Sequence, residues 1–248
     1  MTASGDTGGT PGNFYATPEL AEHYDAEFVG RPDLPFYLAL AQRLGARRVA
    51  DIGAGTGLLC SLLVRRGHEV VGVEPEATML ELARRQPHAS EVTWVHGTAQ
   101  ELPAGWADLV LMTGHVAQYF LDDVAWRTVL TSARRALQAG GHLAFETRNP
   151  AHEEWRTWSS DEPREAMGRT VRTAVERDGD LVTHTDHWSQ GGRRWTTSET
   201  LRFPSWGAVD HGLAAAGFEV VETWGDWDGG PLRAMSPEWI VLARAKRS

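Results

Sequence analysis

This 248-residue sequence lacks several features that mark whole classes of protein. Cys60 is the only cysteine, so no disulfide can form within the chain and no multi-cysteine zinc site is available. No run of about 18 apolar residues is present, which argues against a membrane-spanning helix. The first dozen residues contain no basic stretch followed by an apolar core, so we expect no signal peptide there. These absences favour a cytoplasmic location.

Basic residues are in the minority, with 24 Lys and Arg against 33 Asp and Glu and a formal net charge of -9. Nucleic acids and anionic membranes attract proteins with basic surfaces, so we expect neither as a partner. The 42% of apolar residues can bury a large core, which fits one α/β domain or a domain with an insertion. The composition leaves the oligomeric state, monomer or homodimer, open.

The chain alternates short apolar runs with amphipathic segments from residue 48 to about residue 147. This repeated β-α-β pattern predicts an α/β fold with a doubly wound, mostly parallel, Rossmann-like sheet of seven strands. Two strands after residue 217 should close the sheet as an antiparallel hairpin. Two helix-like stretches precede the sheet, the first of them with Thr17 as N-cap and Pro18 at the first helical position.

The pattern changes after Pro150, where three alternating segments are separated by turn signals and predict antiparallel strands. Eight of the 11 tryptophans also follow residue 150. We therefore divide the chain into a flexible tail at 1–13, N-terminal helices with a ligand-binding core at 14–150, an antiparallel insertion that caps the substrate at 151–204, and the last helix and closing strands of the core at 205–248.

A glycine-rich turn after the first strand is the most informative segment. Gly53, Gly55 and Gly57 follow an apolar strand and precede a helix, which lets the backbone approach a ligand closely. A dinucleotide fingerprint requires a small residue at position 58, but Leu58 stands there. Asp51 would repel a pyrophosphate and attract a cationic amino acid. The turn thus favours a ligand other than a dinucleotide.

Glu74 ends the next predicted strand, 17 residues beyond Gly57. A carboxylate at this position can accept both hydroxyls of a ribose that lies across the strand ends. A surface acid placed before a helix would look the same in isolation. The glycine turn at the preceding strand favours the ribose interpretation.

These segments resemble the class I S-adenosylmethionine-dependent methyltransferases, in particular bacterial enzymes that modify small natural products. VADIGAGTG at 49–57 is similar to their first motif, VVGVEPEATML at 70–80 to the second-strand acid and its helix, and VHGTAQELP at 95–103 to the third-strand loop. ADLVLMTGHVAQYF at 107–120 is similar to the fourth-strand motif, and LQAGGHLAFET at 137–147 to the helix end and strand that follow. The resemblance spans about residues 48 to 147 in order and spacing.

The resemblance implies S-adenosyl-L-methionine as cofactor, S-adenosyl-L-homocysteine as product, and a small-molecule acceptor. The cofactor would be held by Tyr15, Tyr24, Asp51, Gly53, Ala54, Gly55, Gly57, Glu74, Pro75, Met79, Thr98, Ala99, Gln100, Thr113 and Gly114. The acceptor would be contacted by His115, Tyr119, Glu146, Arg148, Trp155 and Trp188. The insertion resembles that of amino-sugar N-methyltransferases in placement, whereas its residues name no substrate.

Methyl transfer from a sulfonium requires approach geometry and a dry cavity, and we expect neither a metal nor a covalent nucleophile. His115 is the candidate general base if the acceptor must lose a proton, and a positioning role is an equal alternative. His184 and Asp186 alternate on one predicted strand, where a solvent-facing polar edge is favoured over entry into a pocket. Glu146 and Arg148 are expected to form an ion pair at the pocket floor, with a purely structural role favoured. Most of Trp155, Trp158, Trp188 and Trp195 are expected to lie in the core, with one or two facing the ligand.

We therefore predict methylation of an amine or hydroxyl on a small molecule. A catalytically silent module that binds S-adenosylmethionine, and a methyltransferase of peptide N-termini, are the alternatives. A nucleotide-dependent oxidoreductase is disfavoured by Leu58.

Overall fold

The computed structural model describes residues 12–27, 30–159 and 162–246. Most of the predicted flexible tail, residues 1–11, lies outside the described residues. Within those ranges no helix is both long enough and apolar enough to span a lipid bilayer.

Strands dominate the described part of the chain. In order they are β1 (Arg48–Ile52), β2 (Glu69–Glu74), β3 (Val92–His96), β4 (Ala107–Met112), β5 (Leu137–Arg148), β6 (Arg164–Ala166), β7 (Arg169–Asp178), β8 (Leu181–Gln190), β9 (Arg193–Arg202), β10 (Phe218–Trp224) and β11 (Glu238–Ala245). The α-helices are α1 (Pro18–Ala21), α2 (Tyr24–Glu27), α3 (Asp33–Arg43), α4 (Leu58–Val64), α5 (Ala77–Ala83), α6 (Asp123–Ala136) and α7 (Trp206–Ala215).

The main sheet has seven strands in the order β10-β11-β5-β4-β1-β2-β3, and β11 pairs antiparallel with both of its neighbours. The remaining pairs are parallel, so the predicted mostly parallel sheet with an antiparallel closing strand is confirmed. Asp51 of β1 lies opposite Gly72 of β2 and Leu111 of β4. The carboxyl ends of these three strands therefore meet at one edge of the sheet, where open α/β sheets bind their ligands.

Alternating side chains of the sheet serve two hydrophobic layers. In β4, Leu109 and Leu111 pack with α3 and α4, whereas Val110 and Met112 pack with α6 and α7. All four side chains are fully buried. This burial on both faces explains the continuous apolar runs of the sequence.

A second sheet of four antiparallel strands, in the order β6-β7-β8-β9, forms from the segment after Pro150. Strands β7, β8 and β9 correspond to the three predicted segments, while β6 is a short addition that the alternation does not reveal. The N-terminal segment joins this sheet, because the Gly12 amide donates to the Thr196 carbonyl at 2.9 Å and the Ser198 amide donates to the Gly12 carbonyl at 3.0 Å. Residues 12–27 thus connect the small sheet to the ligand-binding edge of the main sheet.

The first predicted helix is broken into α1 and α2. Thr17 does occupy the N-cap position, but its side chain makes no capping bond and donates to the Asn13 carbonyl at 2.8 Å. The predicted N-cap position of Thr17 is therefore confirmed, although its side chain does not cap the helix. The Thr17 hydroxyl instead holds the turn that leads into α1.

Candidate functional site

The glycine turn is built by backbone contacts with the neighbouring strand. The amides of Gly53 and Ala54 donate to the Val73 carbonyl at 2.9 and 3.0 Å. Gly53 has φ 72°, and a Cβ there would lie 2.5 Å from the Val116 side chain, so glycine is required for both its backbone and its space. The turn leaves the edge of the sheet open to a cavity.

This cavity, which we call the loop cavity, has a volume of about 480 Å³ and lies beside the glycine turn. It is lined by most of the residues assigned to the cofactor: Tyr15, Tyr24, Asp51, Gly53, Ala54, Gly55, Glu74, Pro75, Met79, Thr98, Ala99, Thr113 and Gly114. The sequence motifs of four different strands thus converge on one space. A volume of this size suits a small ligand.

Gly57 and Gln100 are the two assigned residues that do not line the loop cavity. Gly57 has φ 75°, and a Cβ there would lie 2.6 Å from the Trp94 ring and 2.9 Å from Ala83. Its hydrogen side chain lets α4 pack tightly against β3 and α5. Gln100 is exposed, and its backbone N–H instead donates to the Thr98 hydroxyl at 3.4 Å in a capping box.

Asp51 is the group in the loop cavity that most clearly requires a ligand. Its side chain is 1% exposed, and the Oδ1 atom has no hydrogen-bond partner. The Oδ2 atom accepts a weak hydrogen bond from the Cys60 thiol at 3.4 Å. Burial raises the pKa of Asp51 to about 7. A buried acceptor without a partner is costly, so the site favours a ligand that brings a donor, above all a cationic one.

Glu74 is held rigidly by the turn that it faces. Its carboxylate accepts the amides of Gly55 and Glu76, each at 2.8 Å. Burial raises its pKa, and the two backbone donors oppose that shift. A carboxylate has about four acceptor sites, so two remain for ligand hydroxyls.

The N-terminal segment covers the loop cavity through polar contacts. Asn13 donates to Glu76 at 2.8 Å, and Asp25 accepts the Thr56 hydroxyl at 2.6 Å and the Gln86 amide at 2.8 Å. These bonds join the covering segment to the glycine turn and to the segments that follow β2 and α5. Tyr15 and Tyr24, which belong to the same segment, form part of the cavity wall.

A second cavity of about 610 Å³ lies between the edge of the main sheet and the small sheet, and we call it the inter-sheet cavity. Its lining includes the assigned acceptor residues His115, Tyr119, Glu146, Arg148 and Trp188. Trp155 is absent from it, because this ring is 5% exposed and packs edge-on against Phe203 at 4.6 Å. Trp158 lines the cavity instead.

Glu146 and Arg148 have different partners, so the expected ion pair between them was wrong. Glu146 is fully buried and accepts the Tyr37 hydroxyl and the His115 amide. Arg148 pairs with Glu154 at 3.1 Å and lies over the Trp158 ring at 5.2 Å. Glu146 therefore fixes the loop after β4, while Arg148 shapes the cavity wall.

His115 has a strained backbone with φ 62°, and its Nε2 atom lies 2.9 Å from Glu238. Burial, with a smaller contribution from the nearby Arg148, lowers the pKa of His115 to about 4. Burial raises the pKa of Glu238 to about 8. Both groups are therefore uncharged near neutral pH, and the Nε2 atom is already engaged by the Glu238 carboxyl.

The two cavities meet at a small set of shared residues: Tyr15, Tyr24, Arg31, Gly114, Tyr119 and Glu199. The hydroxyls of Tyr15 and Tyr119 are 2.7 Å apart, and Tyr119 donates to Glu199 at 3.0 Å. Burial raises the pKa of Glu199 to about 7. Groups in one cavity can thus reach a ligand in the other through this junction.

His184 and Asp186 line the inter-sheet cavity, which corrects the favoured expectation of a solvent-facing edge. The pleat does place them on one face of β8, as their alternation requires. The error lay in the environment of that face, because the sequence could not show that β8 would lie over the main sheet.

Arg31, Glu199 and Glu238 are candidate site residues that sequence reasoning missed. Arg31 lines both cavities and pairs with Asp33 through its Nε atom at 3.1 Å. Glu199 offered a signal in the alternation of β9, where it pairs with His184 of β8. Glu238 offered none, because its place beside His115 depends on the antiparallel return of β11.

Residues 49–141 match a family model described as a methyltransferase domain. An uncharacterized methyltransferase of Mycobacterium tuberculosis is 34% identical over 144 residues, which are 55% of this chain and 50% of that protein. The chain thus spans about half the length of the curated relatives it matches. The family match over residues 49–141 lies in the main sheet, which carries the glycine turn.

Solved structures share the fold over nearly the whole chain. The CcbJ methyltransferase from Streptomyces caelestis has a TM-score of 0.80 at 24% identity and covers 94% of this chain and 98% of its own. CalS10, an amino pentose methyltransferase from Micromonospora echinaspora solved with S-adenosylmethionine, has a TM-score of 0.68 at 20% identity and covers 96% and 100%. Residues 49–141 are thus similar to a methyltransferase domain, and the described chain shares the fold of these solved methyltransferases.

Proposed function

We propose that this protein binds S-adenosylmethionine in the loop cavity and transfers its methyl group to a small molecule in the inter-sheet cavity. The unpartnered Oδ1 atom of buried Asp51 carries this proposal. It lies beside the glycine turn, where the α-ammonium group of the methionine moiety would supply the missing donor. The family match and the fold support the same cofactor.

The remaining residues of the loop cavity fit the other parts of this cofactor. Glu74 retains two acceptor sites for the ribose hydroxyls. Met79 and Ala99 offer an apolar wall for the adenine. Arg31 provides a cation for the methionine carboxylate, opposite in sign to the Asp51 site. Each charged part of the ligand thus has a complementary group.

The bound cofactor supplies a methyl group that is already activated by its positive sulfur. The protein contributes orientation and exclusion of water. By the effective-molarity argument, these can lower the activation barrier by about 7 kcal/mol or more. Residues 12–27 cover the loop cavity, while the small sheet covers the acceptor side. Tyr15 and Tyr119 hold the junction between the two ligands.

We assign His115 a positioning role, because its Nε2 atom faces Glu238 at 2.9 Å. Its amide is bound to Glu146, so the residue fixes the loop that separates the two cavities. The alternative, in which His115 takes a proton from the acceptor, remains a hypothesis that its substitution can test.

A small acceptor fits the geometry better than a protein substrate. The inter-sheet cavity is bounded by the small sheet on one side and by the loop after β4 on the other, and about 610 Å³ accommodates a molecule of drug size. CalS10, with the same fold, is described as acting on an amino pentose. An amine or hydroxyl on a molecule of this size is the acceptor we propose.

Isothermal titration calorimetry with S-adenosylmethionine tests the cofactor assignment. We expect stoichiometric binding to the wild type, and S-adenosylhomocysteine formation when a panel of amino sugars and their hydroxyl analogues is supplied. Binding without product for any acceptor would support the catalytically silent alternative. No heat from a protein shown to be folded by circular dichroism would refute the proposal.

A further inference from the structure

The junction between the two cavities contains a carboxylate, Glu199, to which the proposed function assigns no role. Glu199 lies on β9, its side chain is 12% exposed, and it lines both the loop cavity and the inter-sheet cavity. It is therefore the acidic side chain, among the described residues, that faces both proposed ligands.

The hydrogen bonds at Glu199 have a defined direction. Tyr119 donates its hydroxyl proton to Glu199, so the 2.7 Å contact between Tyr119 and Tyr15 must be donated by Tyr15. The chain Tyr15 to Tyr119 to Glu199 thus points donors at the carboxylate. This arrangement holds the carboxylate in place and leaves it able to accept further hydrogen bonds.

Other titratable groups lie close to Glu199. His184 of β8 lies 3.5 Å from it, and Asp186 of the same strand raises its pKa through like charge. Tyr24 from α2 also interacts electrostatically with Glu199. Asp186 and Glu199 place two carboxylates on this face of the small sheet, while Arg31, Arg148 and Arg164 also line the inter-sheet cavity. The two carboxylates would attract a ligand that arrives as a cation.

We propose that Glu199 binds the ammonium group of an amine acceptor and takes its proton before methyl transfer. This inference rests on the proposed function and names the acceptor class and the base. The N–H bond of the ammonium breaks, its electron pair stays on nitrogen, and the proton joins the Glu199 carboxylate. The neutral nitrogen then forms the N–C bond as the C–S bond breaks, so sulfur becomes neutral and the methylated nitrogen carries the positive charge away.

Burial supports this assignment, because it raises the pKa of Glu199 to about 7. A base with a pKa near the working pH balances availability against proton affinity. The His184 imidazole, 3.5 Å from Glu199, is a group to which the proton could pass after transfer. Glu199 would return to the carboxylate before the next turnover.

Sinefungin offers a test that needs no knowledge of the acceptor. This analogue of the cofactor has an amine-bearing carbon in place of the methylated sulfur, so it presents an ammonium group where the two ligands would meet. S-adenosylhomocysteine lacks that group and serves as the reference ligand. The ratio of their dissociation constants measures the attraction of the junction for an ammonium group.

The matched variants are Glu199→Gln, which keeps the shape but removes the charge, and Glu176→Gln, which removes an exposed carboxylate from β7 of the same sheet. We expect the wild type and Glu176→Gln to prefer sinefungin by at least about tenfold, and Glu199→Gln to lose most of that preference. The preference should grow as Glu199 ionises through about pH 7 and should not change with pH in Glu199→Gln. Asp51 affects both ligands alike, so its ionisation cancels in the ratio.

The outcomes separate the two proposals. If the wild type binds neither ligand, the proposed function fails. If both ligands bind but Glu199→Gln keeps the full preference and its pH dependence, or the wild type has no preference, the role of Glu199 is refuted while the cofactor site stands. With an amine acceptor that turns over, Glu199→Gln should lose at least about 100-fold in kcat/KM at pH 7, the range expected for loss of a general base.

Discussion

Replacement of Asp51 by Asn is the perturbation that bears most directly on the cofactor site. The change keeps the size of a side chain that is 1% exposed and removes its negative charge. If the unpartnered Oδ1 atom receives the ammonium group of S-adenosylmethionine, the variant loses a charge-assisted hydrogen bond worth about 1.5–3 kcal/mol. We therefore expect cofactor binding to weaken roughly 10- to 100-fold.

The pH dependence of cofactor binding gives a second quantitative test of the same assignment. Asp51 has a pKa of about 7 in the ligand-free protein, so lowering the pH from 7.0 to 5.5 reduces its ionised fraction roughly 15-fold. The α-ammonium group of the ligand stays protonated over this range. Wild-type affinity should fall with the ionised fraction, whereas the affinity of Asp51→Asn should lack this component. Glu74 and Glu199 titrate in both proteins and cancel in the comparison.

Isothermal titration calorimetry at pH 5.5, 6.2 and 7.0 measures both effects. Asp210→Asn, which removes an exposed carboxylate from α7, is the matched control and should bind as the wild type does. Thermal unfolding of each variant separates loss of the site from loss of the fold. Equal affinities and equal pH dependence for the wild type and Asp51→Asn would refute the assignment of the ammonium group to Asp51.

Three further substitutions, and the pH dependence of stability in Asp51→Asn, test other parts of the account. Glu74→Ala should weaken S-adenosylmethionine binding at least about tenfold in calorimetry, because it removes the proposed ribose acceptor. His115→Ala should lower turnover while the dissociation constant of the cofactor stays constant. Weaker cofactor binding with unchanged turnover would instead assign His115 to cofactor binding. Gly57→Ala should reduce the free energy of unfolding by about 1–3 kcal/mol in urea titrations, since the new Cβ meets the Trp94 ring at 2.6 Å. The raised pKa of Asp51 means that its contribution to stability, full below pH 3.8, is lost as the pH rises to about 7, so Asp51→Asn should show a smaller decline over that range.

The main sheet was predictable because its signals are local. Each strand of β1, β2 and β4 is buried on both faces and therefore appears as a continuous apolar run. The location of Gly53, directly after β1, and of Glu74, the last residue of β2, is fixed by the strand ends. Parallel strands bring such positions together, so the loop cavity was predictable to the level of most of its residues.

The inter-sheet cavity was less predictable because it depends on how two sheets lie together. Alternation placed His184 and Asp186 on one face of β8, but nothing local indicated that this face was covered. Trp155 and Trp188 lie in the same tryptophan-rich region, yet one packs on Phe203 and the other lines the cavity. Glu238 reaches His115 across 123 residues of sequence, a contact that only the topology defines.

A crystal structure with S-adenosylhomocysteine tests the central claim most directly. The account predicts that the amino group of the ligand lies within hydrogen-bond distance of Asp51 Oδ1, that the ribose hydroxyls contact Glu74, and that the sulfur faces the junction formed by Tyr15, Tyr119 and Glu199. A ligand bound elsewhere, or a glycine turn that remains closed to it at saturating concentration, would contradict the account.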